Sequence, residues 1–323
     1  MNQRRILVTG GAGFIGSHLV ERLLSSGCHV TVIDDCSTGS IDNLKNVRSH
    51  PELRVVQARV SQCPDLDAIV RDCDFIYHLA AAVGVELVVH SPIRTIQTNL
   101  RETEAVMEAA AKHNAPILFA STSEVYGKSQ QPGFAETDDL LIGPPHLGRW
   151  SYACSKLMDE FIALAHAKES GLGVTIVRFF NTVGPRQTGR YGMVLPRFIA
   201  AAQAGLPLKV YGDGLQTRCF CYVQDTIEAL TRLESCPGAR GEVFNIGSTE
   251  EVTILQLAER VIETLNSDSS VELVPYNEAY SIGFEDMLRR KPIVDKLHGA
   301  IQFRPSTPLR EIIQLTAAAL PPD

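Results

Sequence analysis

The chain has 323 residues and a formal net charge of −7, and 45% of its residues are hydrophobic against 21% charged. This size and composition indicate a globular protein with about two domains or one enlarged domain, and the acidic balance argues against a nucleic-acid partner. The eight cysteines form no Cys-x-x-Cys pair and no zinc-ligand spacing, so we expect reduced thiols, a cytoplasmic protein and no bound metal.

The N-terminal segment MNQRRILVTGGAGFIG is basic and then apolar, as a signal peptide would be. Glycines interrupt its apolar run early, and no stretch of about 18 apolar residues follows in the sequence. We therefore expect neither a targeting signal nor a membrane span.

Short runs rich in β-branched residues alternate with helical patterns through the first part of the chain. The strand-like runs are 5–10, 29–35, 53–60, 73–80, 115–122 and 173–181, and the first helical pattern is 14–27. This alternation predicts an α/β fold with a parallel sheet that helices cover on both faces. After about Thr182 the alternation weakens, which indicates a smaller C-terminal lobe. Its predicted elements are a helix at 192–205, a strand at 206–214 and an amphipathic helix at 253–265.

The segment TGGAGFIG, at 9–16, lies in the turn between the first strand and the first helix. Gly10, Gly13 and Gly16 allow a sharp bend and let a pyrophosphate approach the backbone at a helix N-terminus. Asp34 ends the second strand, where an acidic side chain accepts hydrogen bonds from ribose hydroxyls and repels a 2′-phosphate. The pattern predicts a dinucleotide site that prefers NAD to NADP, with a tight turn that binds nothing as the alternative. No Lys-Ser/Thr pair follows the glycines, which excludes a P-loop.

Tyr152 and Lys156 lie four residues apart in a helical pattern and so share one face. A tyrosine with a pKa of about 10 is a poor base at neutral pH, and a nearby ammonium lowers that pKa by favouring the phenolate. The pair could then take a proton from a sugar hydroxyl while hydride leaves the carbon, with Thr122 holding the same oxygen. An exposed helical pair is the alternative. The dinucleotide turn and the hydroxyl-rich end of the strand at 117–124 favour the catalytic interpretation.

Five segments together resemble the extended short-chain dehydrogenase/reductase family, whose members modify nucleotide sugars with a tightly held NAD. They are TGGAGFIGSHL (9–19), HLAA (78–81), STSEVYG (121–127), YACSK (152–156) and RFFNTVGPR (178–186). The resemblance implies a Rossmann-type, doubly wound parallel sheet, a smaller C-terminal α/β substrate lobe and a homodimer. We place the NAD-binding domain at 1–181 plus about 222–248, the nucleotide-sugar lobe at 182–221 and 249–323, and the dimer helices around 93–113 and 151–169.

The same resemblance assigns catalysis to Thr122, Tyr152 and Lys156. The residues that it implies for NAD are Gly10, Gly13, Phe14, Ile15, Asp34, Val60, Leu79, Ala80, Ala81, Asn99, Tyr152 and Lys156. Ser37, Thr38 and Gly39 form either an anion-binding loop near this cofactor or only a turn. The residues implied for the nucleotide sugar are Asn181, Arg190, Tyr191, Lys209, Tyr211 and Arg218. Ala58 and Arg59 depart from the family's usual Gly-Asp, whose aspartate meets the adenine amino group.

The family catalyses 4-epimerisation, 4,6-dehydration and decarboxylation of uronic acids, and all three reactions begin with oxidation at C4. Dehydratases usually have Thr-Asp-Glu where this chain has Thr122-Ser123-Glu124, so the acid for the leaving hydroxyl is missing, and plain epimerases usually lack the glutamate. The triplet resembles UDP-glucuronate decarboxylases, including UDP-xylose synthases, as does GFEDMLRRKP (283–292), in which Arg290 would sit by the sugar. The alternative for residues 289–291 is a solvated basic run.

The resemblance therefore implies NAD-dependent decarboxylation of UDP-glucuronate through a 4-keto intermediate, giving UDP-xylose or UDP-4-keto-pentose. Thr122, Ser123, Glu124, Tyr152, Lys156 and Arg290 form the expected catalytic set, and Arg290 also contacts the substrate. The alternatives are a nucleotide-sugar 4-epimerase acting on UDP-glucose or UDP-glucuronate, a 4,6-dehydratase, and an NAD-bound regulator without activity.

Overall fold

The structure is a computed structural model in which residues 3–82, 91–189, 193–275 and 287–320 are described. The strands, in chain order, are β1 (Arg5–Thr9), β2 (His29–Ile33), β3 (Leu53–Val56), β4 (Phe75–His78), β5 (Ile117–Thr122), β6 (Val174–Phe179), β7 (Thr182–Val183), β8 (Leu208–Tyr211), β9 (Thr217–Cys219), β10 (Cys221–Tyr222), β11 (Glu242–Ile246), β12 (Glu251–Thr253), β13 (Val271–Val274) and β14 (Arg289–Arg290). The helices are α1 (Phe14–Ser25), α2 (Leu66–Arg71), α3 (Pro92–His113), α4 (Trp150–Ser170), α5 (Val194–Gln203), α6 (Val223–Glu234), α7 (Ile254–Leu265), α8 (Asp295–Ile301) and α9 (Leu309–Ala319). Among these described helices, none combines the length and the apolar composition that crossing a membrane requires.

Seven parallel strands form the main sheet in the order β11-β6-β5-β4-β1-β2-β3. The order reverses between β1 and β4, which is the switch point where doubly wound sheets bind their ligands. The predicted α/β class and each strand predicted in the first part of the chain are confirmed. The third strand ends earlier than predicted, at Val56, because the chain turns into a short 3-10 segment at Val60–Gln62.

Two separate cores cover the two faces of the main sheet. Ile6 and Val8 of β1 pack with α1, α6 and α8, whereas Leu7 packs on the other face with α2, α3 and α4. This division follows from the alternation of side chains along a strand. It explains why the strands are apolar without a polar face.

A third core lies in the C-terminal part of the chain. It joins α5, α7, α9 and β8 through buried residues such as Phe198, Val210, Leu257 and Ile312. Beside it, β12, β9 and β14 form a small sheet in which Arg290 stands opposite Arg218. Since β11 pairs with β6, the chain returns to the main sheet between these elements. The exact boundaries of the two domains stay a prediction.

The close packing of the glycine turn against α1 gives a stability prediction. A Cβ at Gly16 would overlap the carbonyl oxygen of Gly10 and lie 2.8 Å from the Cα of Gly11. We expect Gly16→Ala to lower the free energy of unfolding by about 1–3 kcal/mol, because backbone atoms cannot move aside as a side chain would. Gly299→Ala, in α8, meets no atom within 4 Å and should be neutral or stabilising by up to about 1 kcal/mol. Urea unfolding measures both values, and equal stability of the two variants would contradict the prediction.

Candidate active site

A cavity of about 590 Å³ opens along the edge of the main sheet where its strands end. The glycine turn after β1 lines one part of it, and β8 and β9 of the smaller lobe line another. The predicted site residues that line this cavity are Gly10, Gly13, Phe14, Ile15, Asp34, Ser37, Thr38, Gly39, Val60, Leu79, Ala80, Ala81, Thr122, Glu124, Tyr152, Asn181, Lys209, Tyr211, Arg218 and Arg290. Ser123, Lys156 and Asn99 are buried next to lining residues, and Arg190 and Tyr191 lie outside the described residues.

The turn after β1 brings bare backbone to the cavity. Gly10 has a φ of +72°, and a Cβ there would lie 2.8 Å from the amide nitrogen of Ala80. Gly13 is the N-cap residue of α1 and has no side chain to cap the helix. The first amides of a helix have no intrahelical acceptor, so they can donate to an anion such as a pyrophosphate.

Asp34 lies directly after β2 and lines the same part of the cavity. Its carboxylate accepts hydrogen bonds from the amides of Ala12, at 2.9 Å, and Cys36, at 2.8 Å. Burial raises the pKa of Asp34, and these backbone hydrogen bonds offset part of the rise. A carboxylate has about four acceptor positions, so Asp34 can still accept from ribose hydroxyls. The glycine turn and Asp34 therefore fit the predicted NAD.

Arg59 stands where the family usually has an aspartate. Its Nε donates to Oδ2 of Asp35 at 3.3 Å, and both side chains line the cavity. Burial opposes ionisation of Asp35, but hydrogen bonds from Ser37 and Arg59 outweigh it and lower the pKa of Asp35. Arg59 thus places a cation that is paired with Asp35, rather than a hydrogen-bond acceptor, where we predict the adenosine of NAD to bind.

The end of β5 brings a hydroxyl and a carboxylate to the cavity. The strand stops at Thr122 in a 3-10 turn, Ser123–Tyr126. The amide of Glu124 donates to Oγ1 of Thr122 at 3.2 Å, which caps the turn. The Thr122 hydroxyl is also hydrogen-bonded to Tyr152 from the first turn of α4. The hydroxyl-rich segment at the end of β5 is therefore part of the cavity wall and does more than terminate the strand.

A buried ion pair lies behind this strand end. Arg178 of β6 donates to both carboxylate oxygens of Glu160, at 3.0 and 2.8 Å. The hydroxyl of Ser121 also donates to Glu160. Both charged side chains are about 5% exposed or less, and a bidentate pair with a further hydrogen bond compensates for such burial. The pair ties β5, β6 and α4 together beneath the cavity.

The hydroxyl of Tyr152 titrates above the ordinary range of a tyrosine. Burial raises the pKa of Tyr152, and the negative charge of Glu124 raises it further. The hydrogen bond with Thr122 and the positive charge of Arg290 lower it, but by less. At neutral pH the group is therefore a phenol in this arrangement and can donate a hydrogen bond.

Lys156 is fully buried one helical turn after Tyr152. Its Nζ donates to Oδ2 of Asp159 at 3.1 Å and lies 4.0 Å from the centroid of the Phe119 ring. Burial lowers the pKa of Lys156, and the charge of Asp159 offsets part of that. The pKa of Tyr152 is thus raised in this arrangement and not lowered as expected, because burial of the phenol and the charge of Glu124 dominate. The ammonium of Lys156 is itself paired with Asp159.

Arg290 reaches the cavity from the smaller lobe. Its Nη2 donates to Oγ of Ser123 at 2.7 Å, its Nε to the same oxygen at 3.3 Å, and its Nη1 to Oε1 of Glu124 at 3.4 Å. The Arg290 side chain is only 12% exposed. Arg289 and Lys291, in contrast, pair with Glu251 outside the cavity. The basic run is therefore not a uniformly solvated face.

Two further predicted substrate residues are fixed by backbone carbonyls. Nη1 of Arg218 donates to the carbonyls of Thr217 and Met287, both at 2.8 Å. Nδ2 of Asn181 donates to the carbonyl of Cys219 at 3.0 Å, and Asn181 has a φ of +23°. Such positive φ values are rare outside glycine and concentrate at functional sites.

The remaining predicted residues differ in how they meet the cavity. Lys209 is exposed on β8, and Tyr211 on the same strand accepts a hydrogen bond from Nη2 of Arg197 at 2.5 Å. Asn99 accepts from the amide of Ala82 at 2.8 Å and donates to Ser155 at 3.0 Å. Asn99 therefore joins the segment after β4 to α4 instead of lining the cavity.

Several polar lining residues did not enter the sequence prediction. They include Asn43, Glu102, Arg149, Arg186, Gln187 and Arg197. Arg149 and Arg186 carried a usable signal, because one precedes Tyr152 by three residues and the other belongs to the RFFNTVGPR segment. Glu102 and Arg197 carried none, because only the packing of α3 and α5 brings them to the cavity.

Comparisons with known proteins agree with this geometry. The sequence pattern of the "NAD dependent epimerase/dehydratase family" matches residues 6–247. The chain is 42% identical to a "UDP-N-acetyl-alpha-D-glucosaminuronate decarboxylase" of Bacillus cytotoxicus, covering 97% of each chain. It is 36% identical to "UDP-glucuronic acid decarboxylase 2" of Arabidopsis thaliana, covering 96% of this chain and 67% of that one. Its fold matches a UDP-glucuronic acid 4-epimerase from Bacillus cereus, solved with UDP-glucuronic acid and NAD, with a TM-score of 0.87, 27% identity and 98% of each chain covered. The chain therefore belongs to the NAD-dependent epimerase/dehydratase family.

Proposed function

We propose that the protein decarboxylates a UDP-linked hexuronate with NAD through a 4-keto intermediate. The observation that carries the proposal is the guanidinium of Arg290, which lies on Ser123 and Glu124 in the cavity that Tyr152 and Thr122 also line. A planar guanidinium in a largely buried site suits a carboxylate, which it can bind through two parallel hydrogen bonds. The named activities of the two decarboxylase relatives support the same reaction class.

The first step uses Tyr152 and Thr122. NAD, when bound, supplies the hydride acceptor that makes C4 of the sugar a ketone. Tyr152 takes the proton of the O4 hydroxyl, and Thr122 hydrogen-bonds to the same oxygen. Because the pKa of Tyr152 is raised in this arrangement, the tyrosine acts as a base only when a positive charge favours its phenolate. Lys156, one helical turn away, is the buried cation that can supply this charge.

The second step follows from the ketone. The C5 carboxylate is now β to a carbonyl group, so the C5–C6 bond breaks, carbon dioxide leaves and the electron pair passes into the C4 carbonyl as an enolate. Tyr152, now protonated, and Thr122 donate hydrogen bonds to the developing oxyanion. Arg290 orients the carboxylate until it leaves, and Glu124 positions the sugar or a water. Protonation at C5 gives a 4-keto-pentose, which is UDP-4-keto-pentose if released and UDP-xylose if C4 is reduced again.

The substituent at C2 separates the two substrates that the relatives suggest. UDP-glucuronate has a hydroxyl there, and the substrate named for the Bacillus cytotoxicus relative has an acetamido group. Both sugars carry the C5 carboxylate that Arg290 would bind. We therefore propose UDP-linked hexuronates as the substrate class and expect UDP-glucuronate first. The structural likeness to a UDP-glucuronic acid 4-epimerase makes 4-epimerisation the second candidate.

Product analysis tests the reaction. We expect purified protein with NAD to release labelled carbon dioxide from UDP-glucuronate, or from its 2-acetamido counterpart, carrying carbon-13 at C6. Arg290→Met should lower kcat/KM by about 10- to 100-fold, because it removes charged hydrogen bonds to the carboxylate. Arg304→Met, which breaks an exposed pair with Asp295, is the matched control and should change nothing measurable. Retention of the label in a product of unchanged mass would replace decarboxylation by 4-epimerisation.

The electrostatics of the cavity give a pH prediction. The charge of Glu124 disfavours the Tyr152 phenolate, so Glu124→Gln should lower the pKa of Tyr152. The pH dependence of kcat/KM measures it, because the rise in rate that reports the Tyr152 phenolate should move to lower pH in Glu124→Gln. The exposed Glu259→Gln should leave the pH profile unchanged. A pKa that stays the same or rises in Glu124→Gln would show that this charge does not act on Tyr152.

The exposed faces of α3 and α4 support the predicted homodimer, which we also propose. Met158 and Phe161 of α4 are 52% and 64% exposed, and Ile93 of α3 is 71% exposed. Cys154 is exposed on α4 as well, and residues 154, 158 and 161 share one helical face. The eight cysteines are free thiols, which suits the reducing, cytoplasmic location that we propose.

Sedimentation equilibrium tests the dimer. Phe161→Arg should convert a wild-type dimer to a monomer, because it places a charge in the apolar centre of the interface. Leu206→Arg alters a residue of similar exposure, 58%, in the smaller lobe and should leave the dimer intact. A monomeric wild type, or a dimeric Phe161→Arg variant, would rule out this interface.

A further inference from the structure

Glu251 of β12 contacts both chain neighbours of Arg290. Oε1 of Glu251 lies 2.8 Å from Nε of Arg289, and its Oε2 lies 3.3 Å from Nζ of Lys291. The hydroxyl of Thr217 donates to Oε1 at 2.7 Å. One carboxylate, itself only 20% exposed, therefore holds the residue before Arg290 and the residue after it.

The backbone of this segment is held from both sides. β14 pairs in parallel with β9, and on the other side the amide of Phe134 donates to the carbonyl of Lys291 at 2.8 Å. Because side chains alternate in an extended segment, Arg290 points away from Arg289 and Lys291. With Glu251 binding the outer two side chains, the alternation directs Arg290 to Ser123 in the cavity.

The charge of Glu251 also changes the field around Arg290. Burial opposes the ionisation of Glu251. The hydrogen bond from Thr217 and the charges of Lys291 and Arg289 outweigh burial, so the pKa of Glu251 is lowered. The carboxylate is therefore ionised at neutral pH and compensates the two outer cations. Without it, three adjacent positive side chains would repel one another and favour other directions for Arg290.

We infer that Glu251 is a positioning residue of the decarboxylation site. It holds Arg289 and Lys291 on the outer side of β14, so that the guanidinium of Arg290 is aimed at the C5 carboxylate of the sugar. The inference rests on the proposed function, because it uses Arg290 as the group that binds the carboxylate. It adds a residue that itself lies outside the lining of the cavity and acts only through its neighbours.

The test compares two ligands that differ only at the carboxylate. One is the UDP-hexuronate that the wild-type protein decarboxylates faster, and the other is the same nucleotide sugar with a hydroxymethyl group at C5. Binding is measured by calorimetry on the NAD-loaded protein carrying Tyr152→Phe, which blocks turnover. Glu251→Gln keeps the size of the side chain and its capacity to accept from Thr217 while removing the charge. We expect about three- to tenfold weaker binding of the uronate, as for a coupled network, and less than about twofold change for the neutral sugar.

The matched control is Glu250→Gln, one residue earlier in the chain. It breaks an ion pair with Arg260 and a hydrogen bond from the amide of Leu309, both unconnected with Arg290. It should leave the binding of both ligands within about twofold of the parent protein. Thermal unfolding of each variant checks that the lobe stays folded.

A double-mutant cycle with Arg290→Met completes the experiment. If Glu251 acts through Arg290, then Glu251→Gln has no further effect once Arg290 is replaced. Three results would each overturn the positioning role of Glu251: Glu251→Gln weakens the binding of both ligands equally, it leaves the affinity for the uronate unchanged, or its effect adds to that of Arg290→Met in the cycle. If Arg290→Met itself leaves the preference for the uronate intact, the proposed function of Arg290 fails, and the role of Glu251 falls with it.

Discussion

The parallel register of the main sheet is the constraint on which the site depends. In a parallel sheet all strands end at the same edge, so whatever follows each strand is gathered there. β1 pairs with both β2 and β4, and β4 pairs with β5. The glycine turn, Asp34, Ala80 and Thr122 consequently meet in one cavity, although they are far apart in the chain. The chemistry of the site is built from strand ends, and the apolar strands themselves only set the spacing between them.

Beneath that edge lies a layer of buried charges. Glu160 pairs with Arg178, and Asp159 pairs with Lys156, all of them buried. Removing one partner of such a pair typically costs about 3–5 kcal/mol, because the other charge is left buried and uncompensated. The pair of Lys156 and Asp159 lies within α4, whereas Glu160 of α4 pairs with Arg178 of β6. The helix that carries Tyr152 is therefore fixed to the sheet by one buried ion pair as well as by apolar packing. Burial and the charge of Glu124 raise the pKa of Tyr152, and the charge of Asp159 in this layer adds to the rise.

The smaller lobe contributes the group that would distinguish a uronate from a neutral sugar. Arg290 crosses to the end of β5 and meets a serine at position 123, where a dehydratase would have an acid. A carboxylate there would form a second ion pair with the guanidinium, in addition to the contact with Glu124. The neutral hydroxyl of Ser123 instead orients Arg290 without cancelling its charge. Within the proposed mechanism, this one difference leaves positive charge for the carboxylate of the substrate.

Local sequence patterns predicted many features of this protein. They predicted the strands, the glycine turn, Asp34 and the pair Tyr152 and Lys156, because each of these signals spans only a few residues. The sequence did not predict the contacts between distant segments. From the sequence, residues 289–291 could be either a solvated basic run or part of the site. The structure decides between the two, because β14 pairs with β9 and Glu251 binds the side chains of Arg289 and Lys291. Likewise, Lys156 was expected to lower the pKa of Tyr152, and only the packed structure placed the ammonium on Asp159. The sequence alone determined which elements form and where the strands end, since backbone periodicity is local. The tertiary structure decided which charges face one another, since pairing and burial depend on residues that only folding brings together.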